Sequence, residues 1–218
     1  MDIFLSHPFA VFAGIAAVVM ALVFYLGWKR KKDLEELASS IGLKFSPDGP
    51  EGGELARNGL EIFSLGHSRK ASNLMQVQSS AGLISFFDYG YVVRSGKNSQ
   101  RHTFTLALIA CSRCEVPFFE LKPEGLIYKI GEALGFKDID LPAFPLFSDK
   151  YRLTGPDESA VHMFFTPQRA AWFERNLGLR VQGAPGHIVL FKRDGHLPVN
   201  SWQSFIEEVK TFSAEVLR

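Results

Sequence analysis

Two cysteines three positions apart, Cys111 and Cys114 in CSRC, are the first residues whose spacing suits chemistry, because that spacing serves both redox dithiols and one half of a zinc site. The half site has no complement: the chain holds only these two cysteines, and the next histidine is His162. A redox dithiol favours its first cysteine at a helix start, yet the EVPFFEL segment that follows reads as extended chain. The expectation is two reduced thiols, buried or at a sheet edge, that act as small hydrophobes. Asp88 in FFDYGY is the second candidate, the one acid inside an apolar and aromatic strand. Buried, it is a candidate base. The alternative is a hydrogen-bond acceptor that fixes strand register, with His102 and Thr103 available across the following loop.

Two further strings imitate catalytic motifs and fail on particular positions. A phosphate loop around SGKN would need glycine at 91 and a hydroxyl residue at 98, where Tyr91 and Asn98 stand. Gly66, His67 and Ser68 begin like a nucleophile elbow, but Lys70 occupies the place of the second glycine. His67, Arg69, Lys70, Lys97 and Arg101 form a scattered set of cations, able to approach anionic headgroups or simply to be solvated. Without a nucleophile, metal set or cofactor motif beside these residues, the sequence argues against an enzyme and names no cofactor.

The elements that carry these residues begin with an anchor. From Ile3 to Trp28 there is no Asp, Glu, Lys or Arg, and then Lys29, Arg30, Lys31 and Lys32 arrive together. Residues 8–28 number 21 and would extend about 31 Å as a helix, the thickness of a bilayer's hydrocarbon. The expected division is a tail over 1–7, a transmembrane helix over 8–28, a basic juxtamembrane segment with a linker helix over 29–42, and a domain over 43–218. No basic residues precede the apolar run and no small-residue cleavage site follows it, which argues against a signal peptide. The basic cluster places the C-terminal domain in the cytoplasm and the N-terminus outside, in a plasma or inner membrane. Tyr25, Trp28, Lys29, Arg30, Lys31 and Lys32 are the expected headgroup and topology contacts. Ala10, Ala13, Gly14, Ala17 and Ala21 are the small positions at which another helix could approach.

The rest is a folded body of nearly zero charge. The whole chain of 218 residues carries +1; once Asp2, Lys29 to Lys32 and Asp33 are set aside, 20 basic and 21 acidic residues remain, so no nucleic-acid partner is expected. Twenty Phe supply bulky core material. Asp33 reads as the cap of a short helix with Leu34, Leu37, Ala38 and Ile41 on one face and Gly42 at its end. Residues 46–58 read as a turn region, and LEIFSL and NLMQVQSS as short strands. Over 83–93, Phe87, Tyr89, Tyr91 and Val93 alternate with Ile84, Phe86, Asp88 and Val92, and a turn leads into a second strand over 102–111. Helices are expected from Pro123 to Gly135 and from Thr166 to Gly178 with Ala170, Phe173 and Leu177 inward. LRV and HIVLFK form a hairpin. Asn200 and Gln203 form a capping box for a last helix with Trp202, Phe205, Ile206, Val209, Phe212 and Val216 as its stripe. The class is α+β: an N-terminal transmembrane helix followed by a mainly antiparallel-sheet cytoplasmic domain with three or more packed helices.

The segments FFDYGYVVRSGKNSQRHTFTLAL, LPAFPLFSDKYRLTG, DESAVHMFF and HIVLFKRDG resemble a loose family of uncharacterised bacterial single-pass membrane proteins, over most of 59–217. The resemblance implies an N-terminal membrane helix with a cytoplasmic domain and brings no activity; CSRC is not part of the pattern. The expected function is a membrane-anchored accessory or scaffold subunit that binds another membrane protein, such as a larger energy-converting complex, with the lipid bilayer and anionic headgroups near the basic cluster as further partners. Phe87, Asp88, Tyr89, Tyr91, Lys97, Asn98 and His102 are the candidate functional surface. The alternatives are a small-ligand or lipid-sensing module with the Phe87, Tyr89 and Tyr91 face lining a pocket, and a membrane-tethered hydrolase or redox enzyme.

Overall fold

The computed structural model describes residues 8–96, 98–111, 114–124 and 138–217. Its first element is one helix of 33 residues, α1 (Pro8–Ser40), about 50 Å long. Residues 11–29 are exposed all round, and the stretch is long and apolar enough to cross a membrane once. From Arg30 onward one line of the helix turns inward: Arg30, Leu34 and Ala38 follow each other at intervals of four, and Leu34 and Ala38 are fully buried. The expected break at Asp33 does not occur. No residue between Lys29 and Ser40 breaks a helix, so propagation costs less than stopping and capping anew. The helix stops at Gly42, whose φ of 72° suits only a residue without Cβ. There the Gly42 amide donates to the Ser39 carbonyl at 3.3 Å and that of Leu43 to Ala38 at 2.9 Å, the paired closure of a glycine-terminated helix.

Eight strands follow, β1 (Lys44–Asp48), β2 (His67–Gln78), β3 (Leu83–Ser95), β4 (Asn98–Ala110), β5 (Phe119–Pro123), β6 (Tyr151–Thr154), β7 (Arg180–Ala184) and β8 (His187–Phe191). They make one sheet in the order β1-β2-β3-β4-β8-β7-β5-β6, with every adjacent pair antiparallel. The helices are α2 (Gly52–Arg57), α3 (Pro145–Lys150), α4 (Glu158–Phe164), α5 (Pro167–Arg175) and α6 (Trp202–Val216). The fold is the expected α+β arrangement of an apolar N-terminal helix and an antiparallel sheet with packed helices.

Alternation along β3 and β4 sends side chains to both faces, and both faces are covered. Ile84, Phe86, Ala107 and Ile109 face the larger core, with the end of α1 and with Trp172, Phe173, Trp202, Phe205 and Phe212 from α5 and α6. Phe87, Tyr89, Tyr91, Phe104 and Leu106 face the smaller one, beneath Leu55 of α2 and Ile62 and Phe63. The α6 stripe is buried as its spacing requires.

Several local expectations give way to context. LEIFSL contains a 3-10 turn, Glu61–Phe63, instead of a strand, because the left-handed glycines Gly59 and Gly66 bracket it and the Ile62 amide donates to Gln182 Oε1. The turn region 46–58 holds both the end of β1 and α2. Pro123 closes β5 opposite Tyr151 and does not begin a helix; the helix expected over 126–134 lies outside the described residues. Leu177 lies beyond α5 and is exposed. Asn200 sits in a second 3-10 turn, Val199–Ser201, and α6 starts from Ser201 with no side-chain cap, because that turn already feeds the chain into the helix.

The sheet register also fixes the direction of α1. Lys44, the first residue of β1 and four beyond the helix, stands opposite Gln76, which stands opposite Ser85. At the other end of the contact, Arg30 reaches Asp88, which lies level with Ser72 and Asp48. Going toward its N-terminus, α1 therefore runs toward the end of β3.

Candidate functional site

The buried acid of β3 meets the basic residue that the helix periodicity turns inward. Asp88 has 1% and Arg30 19% of its side chain exposed. Arg30 Nε donates to Asp88 Oδ2 at 2.8 Å and Nη2 to Oδ1 at 2.9 Å, a two-pronged contact that suits the planar guanidinium. The third nitrogen, Nη1, donates to the Leu197 carbonyl at 2.9 Å. The carboxylate is completed by Asn73 Nδ2 on Oδ2 at 2.9 Å and by the Thr105 hydroxyl on Oδ1 at 2.8 Å. Thr105 Oγ1 in turn accepts from the Leu197 amide at 3.0 Å. One residue each from α1, β2, β3, β4 and the chain after β8 thus converge on a single charge pair.

The segment after β8 is a strap that closes this junction. Asp194 accepts from the Thr103 amide at 3.2 Å and contacts His102 Nδ1 at 2.6 Å; the Gly195 amide donates to the Thr103 carbonyl at 2.6 Å. His196, on the same strap, has its pKa lowered by desolvation first, with Asp88 opposing and the Arg30 and Arg101 charges adding to the lowering. With both oxygens of Asp88 taken by donors, the chemistry of the site is that of a clamp between the helix and the domain, not of a proton acceptor.

Four of the residues expected as a functional surface do not form one. Phe87, Tyr89 and Tyr91 face the opposite side of β3 from Asp88 and are buried beneath Phe63, whose ring meets that of Tyr89 at 5.2 Å. His102 is buried against Tyr91 and held by Asp194. Asn98 is exposed at the start of β4, and Lys97 lies outside the described residues. Of the expected headgroup contacts, Tyr25, Trp28, Lys29, Lys31 and Lys32 are exposed on α1, whereas the Arg30 guanidinium is spent inside. Ala13, Gly14, Ala17 and Ala21 are exposed on the helix, with open space around Gly14; the side chain of Ala10 is outside the described set. The expected register contact of Asp88 is made by Thr105, its partner across β3 and β4, and not by His102 or Thr103. Cys111 and Cys114 are joined as a disulfide, where two free thiols were expected; their Cα atoms stand 5.6 Å apart, within reach of the bond.

Beside the aromatic face lies a cavity of about 10 Å³ lined by Glu61, Tyr91, Glu120, Arg180 and Gln182 among others, room for one water and for no organic ligand. Glu120 holds Lys122 at 2.7 Å and Arg180 at 3.5 Å. Glu61 has its pKa raised by desolvation and next by Glu120, with Lys122 and Arg180 opposing.

Buried tyrosines, Tyr89 and Tyr91 on this face and Tyr151 in the larger core, set an alkaline limit. Burial pushes Tyr89 up to about 12, with Arg69 opposing, and Tyr151 also to about 12; Tyr91 is raised as well, by burial first and then by Asp194. A raised phenol pKa favours the neutral form in the folded state, so stability holds below the unfolded value near 10 and falls as pH climbs from there toward 12. Each of Tyr89 and Tyr151 contributes a loss of about 1.4 kcal/mol per pH unit in that window. Urea unfolding between pH 8 and 12 is expected to display the decline, with a shallower slope in Tyr89→Phe; an equal slope in that variant would remove Tyr89 from the account.

No family model matches the chain, and no curated protein matches it. Among solved structures, the mycobacterial trehalose monomycolate transport factor A, TtfA, aligns with a TM-score of 0.54 at 12% identity, over 86% of this chain and 94% of that one. At that identity the likeness is one of fold.

Proposed function

We propose that this chain is a single-pass membrane accessory protein whose helix spans a plasma or inner membrane, N-terminus outside, and whose domain binds a membrane partner at the cytoplasmic face. The observation that carries the reading is the clamp. An apolar helix that is exposed among the described residues over 11–29 passes without a joint into a segment bolted to the sheet through Arg30 and Asp88. Such a connection holds a domain in a set position against the bilayer, which is of use to a protein that must present a surface to a neighbour and of no evident use to a freely diffusing catalyst. Four basic residues directly after the span favour the cytoplasmic side for the domain. The fold neighbour is, by its name, a transport factor; only the general idea of an accessory role is extended from it to this chain.

The test is made in intact cells with the full chain at native abundance. The chain is expected in the carbonate-resistant membrane fraction, its domain protected from protease added outside sealed cells, and crosslinks should join it reproducibly to one membrane protein after gentle extraction and native electrophoresis. Alkylation before lysis reports the compartment independently: in a reducing cytoplasm the Cys111–Cys114 bond is expected to open to two free thiols, and in an oxidising exterior to stay closed. Protease cleavage of the domain from outside would overturn the topology. A chain that stays alone after crosslinking would overturn the accessory role.

A further inference from the structure

The end of the sheet that carries the start of β2 and the β3–β4 hairpin points the same way as the membrane segment of α1. Two fixed points establish this: the helix exit at Leu43 beside the Gln76 and Ser85 level, and the Arg30 contact at the Asp88 level. Between these points α1 advances thirteen residues, about 20 Å, while β3 advances three, from Ser85 to Asp88, about 10 Å, so the helix crosses the strands obliquely. The seven residues from Asp88 to Ser95 therefore advance along the helix axis by only part of their length, about 10 Å. Trp28, at the edge of the apolar run, lies two positions before Arg30, about 3 Å along the helix, so the hairpin lies on the membrane side of Asp88, near the level of the headgroups.

This end is also basic. Arg69 and Lys70 at the start of β2, Arg94 near the end of β3 and Arg101 on β4 are all exposed, and no acidic residue occurs in 67–78 or 89–107; Asp194 of the strap meets this end at His102 and the Thr103 amide, and the exposed cations outnumber it. Lys70, Arg94 and Arg101 make no ion pair among the described residues. Arg69 donates to the carbonyls of Ser64, Leu65 and Gly66, which fixes its charge at the rim. Between Arg94 and Arg101 the side chains of Asn98, Ser99 and Gln100 are exposed and polar, suited to a headgroup layer and unsuited to hydrocarbon.

We infer that the β2 start and the β3–β4 hairpin form a second membrane contact, an electropositive shelf that rests on anionic lipid headgroups beside the span. The inference rests on the reading of α1 as a membrane helix and adds a lipid surface that the anchor alone does not require. A cation close to an anionic leaflet contributes about fivefold to the occupancy of the contact, and the set of Lys70, Arg94 and Arg101 roughly a hundredfold.

The experiment uses the full chain in nanodiscs, with a photoreactive benzoylphenylalanine replacing either Gln100 on the hairpin or Ser80 at the opposite end of β3. Discs of pure phosphatidylcholine are compared with discs containing about one third phosphatidylglycerol, an anionic fraction chosen to give a strong surface potential. Lipid adducts at Gln100 are expected to exceed those at Ser80 at least tenfold in anionic discs. They should fall toward the Ser80 level in neutral discs, in high salt, and in Lys70→Gln/Arg94→Gln/Arg101→Gln. The salt arm needs no charge variant and stands if that variant misfolds. A chain that enters the discs but crosslinks lipid no better from Gln100 than from Ser80, or equally well whatever the lipid charge and salt, overturns the shelf and leaves the anchor intact. A chain that does not enter the discs overturns the anchor, and the shelf with it.

Discussion

Asp88→Ala is expected to lower the stability of the folded chain by about 3–5 kcal/mol, because it leaves a guanidinium, an amide and a hydroxyl facing a site with no acceptor. For a body of this size that corresponds to a fall in melting temperature of about 10–15 °C. Arg30→Ala should cost less, about 2–3 kcal/mol, since Asp88 keeps its bonds from Asn73 and Thr105 and water can reach the part-exposed gap left by the guanidinium. Arg30→Lys should not rescue: an ammonium cannot donate to both carboxylate oxygens and to the Leu197 carbonyl with the same fork. In the double variant the losses should fall short of the sum by about 1–3 kcal/mol, the signature of a direct partnership. Urea unfolding of the four proteins in mild detergent measures this cycle. Strictly additive losses would mean that the two residues stabilise the fold separately and that the clamp is an accident of proximity.

Leu34→Asp should be comparably severe and differ in kind. Leu34 is fully buried one helical step beyond Arg30, between α1 and the larger core. The substitution loses the burial of a leucine and sets a carboxylate where no donor awaits it, together about 4 kcal/mol or more. Because the sheet and α6 have a core of their own, the expected result is undocking of the 30–41 segment with the strands still formed. Limited proteolysis should then cut near the basic cluster, while amide exchange in β3 and β4 stays slow. Loss of protection throughout the sheet would mean that the helix end is part of the folding core and not a docked extension.

These two residues also mark where the sequence was legible and where it was not. The β3–β4 alternation, the β7–β8 hairpin and the α6 stripe are visible because a period of two or 3.6 residues is a local property, and the structure keeps them, with β3 and β4 longer than expected. Asp88 stood out as the lone acid of an apolar strand. Its partner did not, because Arg30 lies among four basic residues that already have an explanation as a topology signal. The clue was present in the spacing: Leu34 and Ala38 define a buried line, and the position four residues before Leu34 on that line is Arg30. Asp33 misled for a related reason. It is a good helix cap by type, but a cap is used only where a helix has to begin, and nothing before it ends one. Segments ruled by distant partners, such as the 3-10 turn tied to Gln182, left no periodic trace.

The unbroken passage of α1 through the basic cluster has a mechanical consequence. A shaft with no universal joint delivers every lean and twist of its upper half to whatever is mounted below. In a bilayer, a helix that inclines by about 20° to match the lipid thickness would swing the outer rim of a body some 40 Å across through roughly 10–15 Å. The thickness of the surrounding lipid would then set the height at which this body meets its neighbours.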